Sequence, residues 1–262
     1  MLRALFSRRW LLANLIVLAA LAVLVRLGIW QLDRLEWRRA HNIRVQENQQ
    51  APPLQLDAAA LEARALDADF YDMEFRSVVV TGKYLTDDEI VLRNQVWGDE
   101  FGTQLGVKLF TPLLIPGTDS AILVERGWIP DAHAANPVRQ AYAVDGAVTV
   151  EGWLRRAETD FNINLNPDPT LAPGESRLDA WNHLDLARLD AQTEVDLLPV
   201  YLQRAPDEPQ SSPPFQLQPS YDLGEGPHLG YAIQWFIFAA VLALGYPIYV
   251  QRQEADRQSN TE

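Results

Sequence analysis

Two short runs of this chain set an imidazole, a guanidinium and several aromatic planes at helical spacing. In Leu27-Gly28-Ile29-Trp30-Gln31-Leu32-Asp33-Arg34-Leu35-Glu36-Trp37-Arg38, residues Trp30, Arg34 and Trp37 stand at i, i+4 and i+7. On a helix they share one face. In Pro227-His228-Leu229-Gly230-Tyr231-Ala232-Ile233-Gln234-Trp235-Phe236, residues His228, Tyr231 and Trp235 stand at i, i+3 and i+7 and share another. Packing the two helices together, with Gly28 and Gly230 allowing close approach, would bring these groups to one interface. An aromatic belt at headgroup depth accounts for Trp30, Trp37, Tyr231 and Trp235, and Arg snorkels there. It accounts poorly for His228 and Gln234, since polar groups at or inside the boundary are costly and tend to be functional or paired. For His228, a ligand role and a cap on the second helix both stay open.

The elements that must position these runs are two apolar segments. Trp10 to Val25 carries no charge, and Leu27 to Trp30 continues it past Arg26. About 20 apolar residues cross the hydrocarbon core, so this is long enough if Arg26 snorkels. A cleavable signal is the rival, because Ala20-Leu21-Ala22 has a small-x-small form and Ser7-Arg8-Arg9-Trp10 faintly resembles a twin-arginine signal. The apolar run carries on through Val23-Leu24-Val25, which favours a retained anchor. From Gly226 to Gln251 there is again no Asp, Glu, Lys or Arg, and Pro247 is tolerable in a membrane helix. The expected organisation is therefore a span over residues 10–30 whose helix continues to about residue 50, a domain over 51–225, and a second span over 228–250. Arg3, Arg8, Arg9, Arg252 and Arg257 lie outside the spans, against Arg34, Arg38, Arg39 and Arg44 just after the first. The small bias, together with the acid-free N-terminal flank, predicts cytoplasmic (or matrix-facing) termini and an extracytoplasmic, periplasmic middle.

Composition excludes several function classes. The chain has 262 residues and no cysteine, so thiolate metal sites, Cys nucleophiles and disulfides are absent. Its formal net charge is -13, and nucleic-acid binding needs a basic footprint that is missing. Residues 31–227 hold 32 of the 35 acids and 16 of the 22 bases, which marks a soluble acidic domain between the spans.

Within that domain, Trp30 to Gln50 is rich in helix formers until Pro52-Pro53 stops it, and Asp57 to Asp69 predicts a short helix capped by Asp57. β-type runs follow at Phe75–Tyr84, Glu89–Trp97, Gln104–Leu114, Ser120–Ile129, Ala147–Leu154 and Val200–Arg204. Gly82, Pro116-Gly117 and Asp145-Gly146 read as turn signals. One helix is expected at His183–Glu194 behind an Asn182 cap, with Phe161–Pro173 and Ala205–Pro219 as loops. The fold class expected is α+β: two transmembrane helices flanking an extracytoplasmic antiparallel β-barrel or sandwich-like domain with one or two helices.

The motifs of catalysis are missing: there is no GxSxG, HExxH, GxxxxGK[ST] or GxGxxG, and no His pair at metal spacing. His41, His133 and His183 read as surface or helix-end residues. Arg126-Gly127-Trp128 follows a β-run, so Gly127 is expected at a bend or bulge and Trp128 in the core, with partner docking the alternative.

Three stretches together resemble the surfeit locus protein 1 family. They are Leu27-Gly28-x-Trp30-Gln31-x-x-Arg34-x-x-Trp37, Arg126-Gly127-Trp128-Ile129-Pro130, and His228-Leu229-Gly230-Tyr231-Ala232-x-Gln234-Trp235-Phe236. Two departures stand out: Arg38 where the first signature commonly has Lys, and Gly226-Pro227 in place of a polar pair before the histidine. The resemblance implies a cytochrome c oxidase biogenesis factor rather than an enzyme, set in the bacterial plasma membrane or the mitochondrial inner membrane. It implies haem a as cargo and oxidase subunit I as recipient, with haem a synthase and membrane lipid as further partners and no nucleic acid. The family's proposed haem ligand falls on His228. Trp30, Tyr231 and Trp235 would then supply flat walls, and Arg34 or Arg38 the cations for propionates. Two other classes compete: a structural chaperone that grips oxidase subunits without haem, and a membrane-anchored hydrolase needing two converging acids of raised pKa.

Overall fold

The computed structural model describes residues 7–63, 70, 72–99, 102–157, 167–171, 174, 177–207 and 209–259. The chain divides into two compact units, one of Met1–Ile43 with Asp222–Glu262 and one of Arg44–Tyr221. The first is helical. Helix α1 runs Leu11–Gln50 and helix α5 runs His228–Ser259, and both are long and apolar enough to cross a membrane. Arg26 reaches along α1 toward Asp33, 3.8 Å away, in the direction a snorkelling side chain takes.

The inner face of α1 is read off its burial. Leu21, Leu24, Gly28, Gln31, Leu35, Arg38 and Asn42 are covered, with Leu27 and His41 flanking them, and the series alternates steps of three and four. That is the seam of a helix packed lengthwise and antiparallel against its partner. On α5 the matching positions are His228, Ala232, Trp235, Ala239, Leu242 and Tyr246. The expected role of the glycines is half met. Gly28 takes the Phe236 ring, which would lie 2.6 Å from a Cβ there, whereas Gly230 has nothing within 4 Å.

The second unit is a mixed sheet rolled into a barrel. Its strands are β1 (Leu54–Leu56), β2 (Ser77–Tyr84), β3 (Ile90–Asp99), β4 (Gly102–Leu114), β5 (Ser120–Pro130), β6 (Ala147–Arg155), β7 (Ala180–Trp181) and β8 (Asp196–Arg204). They follow the order β1-β2-β6-β8-β5-β4-β3-β7, and an added β2–β4 pairing at Lys83↔Leu114 and Tyr84↔Leu113 closes β2-β6-β8-β5-β4 on itself. Short helices α2 (Ala58–Ala63), α3 (Asn136–Arg139) and α4 (Leu186–Asp190) complete it.

The barrel interior holds Val78, Val80, Leu113, Ile122, Val124, Val150, Leu154 and Leu202. Outside it, α4 presses Leu186 and Leu189 onto Ile90, Phe110, Leu123 and Trp181. Strand β5 is buried from Ala121 through Ile129, because its two faces serve two cores, as in a strand covered on both sides.

Several sequence expectations need correcting. The sheet is mixed, since β1–β2, β5–β8 and β3–β7 are parallel. β1 and β7 are two- or three-residue pieces that no periodicity can reveal. Gly82 lies inside β2, where a Cβ would meet the Leu114 carbonyl at 2.3 Å, so it serves the barrel closure and not a turn. Gly117 and Gly146 do occupy positive-φ turn positions. The helix expected over His183–Glu194 shrinks to Leu186–Asp190, and its cap is Asp185, whose carboxylate accepts from the Arg188 N–H at 3.0 Å. Asn182 is held in the preceding loop instead, donating to the Pro167 carbonyl. Asp57 does cap the first short helix, accepting from the Ala60 N–H at 2.8 Å. The rest of that stretch, 64–69, and most of the Phe161–Pro173 loop lie outside the described residues.

Candidate functional site

Within the helical unit, the chain leading into α5 is strapped to α1. Arg38 donates to the Asp222 and Gly224 carbonyls and to the Asp222 carboxylate, each at 3.0 Å. Arg39 forks onto Glu225 at 2.8 and 2.9 Å, and that bond holds the Glu225 carboxyl below its ordinary range. Asn42 donates to the Leu223 carbonyl at 2.7 Å. Gly226 then takes a φ of +70, a left-handed turn that favours glycine, and Pro227 lends its carbonyl to the Tyr231 N–H at 3.1 Å. The Gly226-Pro227 departure thus forms the turn from which α5 starts at His228.

This strap fixes His228 on the seam. Its Nδ1 donates to Gln31 Oε1 at 2.8 Å. Nε2 is the nitrogen left over, and it has no hydrogen-bond partner among the described residues. An imidazole oriented through one nitrogen, with the other open, is the arrangement metal-binding histidines adopt. Trp235 lies one heptad along on the same inner face, half-buried and edge-on to Phe238.

The other expected site residues are not brought to that face. Trp30 and Tyr231 are 45% and 49% exposed. Arg34 lies over the Trp37 ring at 5.1 Å, and Trp37 stacks on His41 at 5.8 Å. They form an outward ladder beside the seam. Arg38 is committed to the 222–224 strap. Gln31 is the residue that the motif alone does not single out, and the signal for its role is its place in the seam series between Gly28 and Leu35.

The Arg126-Gly127-Trp128-Ile129-Pro130 run resolves into barrel construction. The β4–β5 register slips at Arg126, between the Leu109↔Gly127 and Phe110↔Glu125 pairs, which is a β-bulge. The bulge turns Arg126 inward. There it donates to Glu89 at 3.0 Å and to the Tyr142 carbonyl, and lies 4.9 Å over the Tyr84 ring. Burial pushes the Glu89 carboxyl up, against the pull of the Thr111 hydroxyl and of Arg126 and Arg139. Gly127 has a φ of +132, and Trp128 stacks with Trp97 and Phe215. Gly127 at a bulge and Trp128 in the core were both legible in the sequence.

Among the described carboxyls Glu89 is the one shifted upward, and arginines surround it instead of a second acid. No group of three or more His, Asp or Glu that could hold a metal occurs among the described residues. His133 Nδ1 pairs with the Tyr142 hydroxyl at 2.5 Å.

Comparison with known proteins agrees with the motifs. A family model described as the SURF1 family matches residues 18–240. A SURF1-like protein of Monosiga brevicollis is 27% identical over 240 residues, covering 88% of this chain and 84% of that protein. A SURF1-like protein of Mycobacterium tuberculosis is 27% identical over 254 residues, 95% of this chain and 87% of its own. Surfeit locus protein 1 of Rattus norvegicus is 24% identical over 239 residues, 86% and 72% of the two chains. With most of its length matched by that model, from the first apolar helix through the His228 signature, the chain belongs to the SURF1 family.

Proposed function

We propose that this protein serves the biogenesis of haem-copper cytochrome c oxidase, binding haem a through His228 and assisting its insertion into subunit I. In this reading both spans sit in the bacterial plasma membrane or the mitochondrial inner membrane, with cytoplasmic or matrix termini and the β-rich unit outside. Haem a synthase is the source of the cargo and subunit I its destination. The chain works as a carrier and not as an enzyme. Family membership and the three signatures support this, and one observation carries it: the His228 imidazole held through Nδ1 by Gln31 with Nε2 left open.

A haem iron takes an imidazole nitrogen as axial ligand. The residues present fit that need with a single ligand, backed by Trp235 on the same helix face. Arg34, the cation of the first signature that the strap does not use, stands on the outward ladder over Trp37 and would have to meet a propionate from beside the seam. A single ligand suits hand-over better than permanent retention. Gln31 holds the ring orientation, and the Arg38, Arg39 and Asn42 strap holds the start of α5, so His228 is presented in one pose.

The test is a pyridine haemochrome spectrum of the detergent-purified chain, made in cells that also produce haem a, with His228→Ala alongside. A haem a spectrum that falls severalfold in the variant is the expected result. No haem in either protein, from a folded chain that still co-purifies with subunit I, would sink the ligand assignment. The structural-chaperone reading would then stand. It draws on the outward Trp30, Trp37 and Tyr231, which are about half exposed and available to a partner's helices.

A further inference from the structure

We propose that the β-rich unit carries a second binding site, for a small molecule with one carboxylate on an apolar body, recognised by Arg139. The site is a cavity of about 410 Å³ between β3, β4, β7 and the segment after β5, lined among others by Val91, Val107, Ala134, Ala180, Arg93 and Arg139. Small-molecule pockets run from about 300 to 1,000 Å³ and are mostly apolar with a few placed polar groups. This cavity is of that size, with an apolar part formed by valine, leucine and alanine side chains and a polar part formed by Arg93, Asn94, Asp131, Arg139 and Asp179.

Arg139 is the observation that calls for a ligand. It is 4% exposed, and no hydrogen bond holds its guanidinium among the described residues; the enclosed Nε faces Glu89, so the terminal nitrogens are the ones that can meet a ligand. Its two ionic neighbours, Glu89 and Asp179, stand at 3.7 and 3.8 Å, beyond hydrogen-bond length. Arg126, on the same Glu89 carboxylate, also has an unbonded Nε, but its terminal nitrogens are bonded to Glu89 at 3.0 Å and to the Tyr142 carbonyl, which those of Arg139 are not. A buried guanidinium carries five donors in a planar fork, and leaving them unbonded is costly. Such a fork lining a cavity matches the two oxygens of a carboxylate.

The surroundings narrow the class further. Val91 and Val107 are essentially fully buried beneath the cavity, and Ala134 and Ala180 pack on the same cluster, so the ligand's body is apolar. Asp131 and Asp179 also line it. They disfavour a dianion, which argues for a monocarboxylate over a phosphate. Arg93 is a second cation in the lining.

The probe is 4-fluorobenzoate, followed by ¹⁹F NMR line broadening against the detergent-solubilised full chain, with detergent alone as blank. Inorganic phosphate and the neutral 4-fluorobenzyl alcohol are compared. The expected result is saturable broadening that weakens at least tenfold in Arg139→Met and in Ala134→Phe, which fills the cavity while keeping every charge. Neither phosphate nor the alcohol should displace the probe. No saturable broadening above the blank overturns the proposal, as does native-like binding by both variants. Displacement by phosphate at the same concentration overturns the monocarboxylate class. Near-UV circular dichroism checks folding, and where Arg139→Met does not fold, Ala134→Phe decides.

Discussion

Replacing Gly127 by Ala tests whether the second signature is a packing requirement of the barrel. Gly127 has a φ of +132, and a Cβ there would lie 2.7 Å from the Phe215 carbonyl oxygen, 2.9 Å from its carbon and 3.1 Å from the Pro214 carbonyl carbon. Those are backbone atoms, and they are not free to retreat. Trp128 N–H donates to the Phe215 carbonyl at 2.7 Å, and Phe215 N–H donates back at 2.8 Å. The strained dihedral costs about 1–3 kcal/mol, and forcing the 214–215 backbone away adds about 1–3 kcal/mol. A central value of about 3–4 kcal/mol lowers Tm by roughly 10 °C in a domain of this size. Gly146→Ala is the control, because Gly146 has a φ of +85 but nothing within 4 Å of its Cβ position. It should lose only the backbone share, about 1 kcal/mol and roughly 3 °C. Melting followed by near-UV circular dichroism reads the Trp97, Trp128 and Phe215 stack directly. Equal shifts in the two variants would refute the reasoning, since the close approach of Phe215 would then cost nothing.

Two further predictions follow from the ionic contacts. Because burial raises the folded pKa of Glu89 above its unfolded value, the folded state binds the extra proton, and Glu89 lowers stability as pH rises through that window. Glu89→Gln removes this dependence, so its urea midpoint should gain on the native chain's from pH 4 to pH 7; a variant that loses ground instead would mean that Arg126 and Arg139 hold the carboxylate ionised. Arg38→Leu removes three hydrogen bonds from the 222–224 strap. At about 1.5–3 kcal/mol for bonds to a charged group, the Gly224 amide should exchange at least tenfold faster, and unchanged exchange would show that the strap does not depend on Arg38.

The sequence carried the outline of the fold because its strongest signals are physical necessities. Charge-free runs of membrane length, β-branched strands and glycine turns each announce themselves locally, and six of the eight strands lie where alternation puts them. The parallel pairs and the barrel closure did not announce themselves, because Leu54–Leu56 and Val78–Val80 pair over a distance no local pattern encodes. The helix faces failed for a different reason. Trp30, Arg34 and Trp37 repeat at heptad spacing, and so do Gly28, Gln31, Leu35 and Arg38. In an apolar span, hydrophobicity does not separate the two phases. Small residues and polar groups with a partner choose the inner one, as Gly28 under Phe236 and Gln31 against His228 do. The buried Glu89–Arg126–Arg139 cluster was hidden among 32 acids for the same reason: charge alone says nothing of burial.

That inner phase makes Gln31 the residue on which the His228 reading can be broken without any haem present. While Oε1 of Gln31 accepts from Nδ1, the proton of the neutral imidazole is held on Nδ1. Gln31→Leu removes the acceptor and leaves the ring free to exchange tautomers, whereas Gln31→Glu restores an acceptor of greater strength. ¹⁵N NMR of histidine-labelled, haem-free protein separates the two nitrogens, and it should show one tautomer in the native chain and in Gln31→Glu and a mixture in Gln31→Leu. Partners of this kind are worth about 10–100-fold in the affinity of the group they orient. Haem a retention should therefore fall by that order in Gln31→Leu and recover in Gln31→Glu. An unchanged ¹⁵N pattern in Gln31→Leu would mean that His228 is held by its helix end alone. Its place on the seam would then be that of a cap.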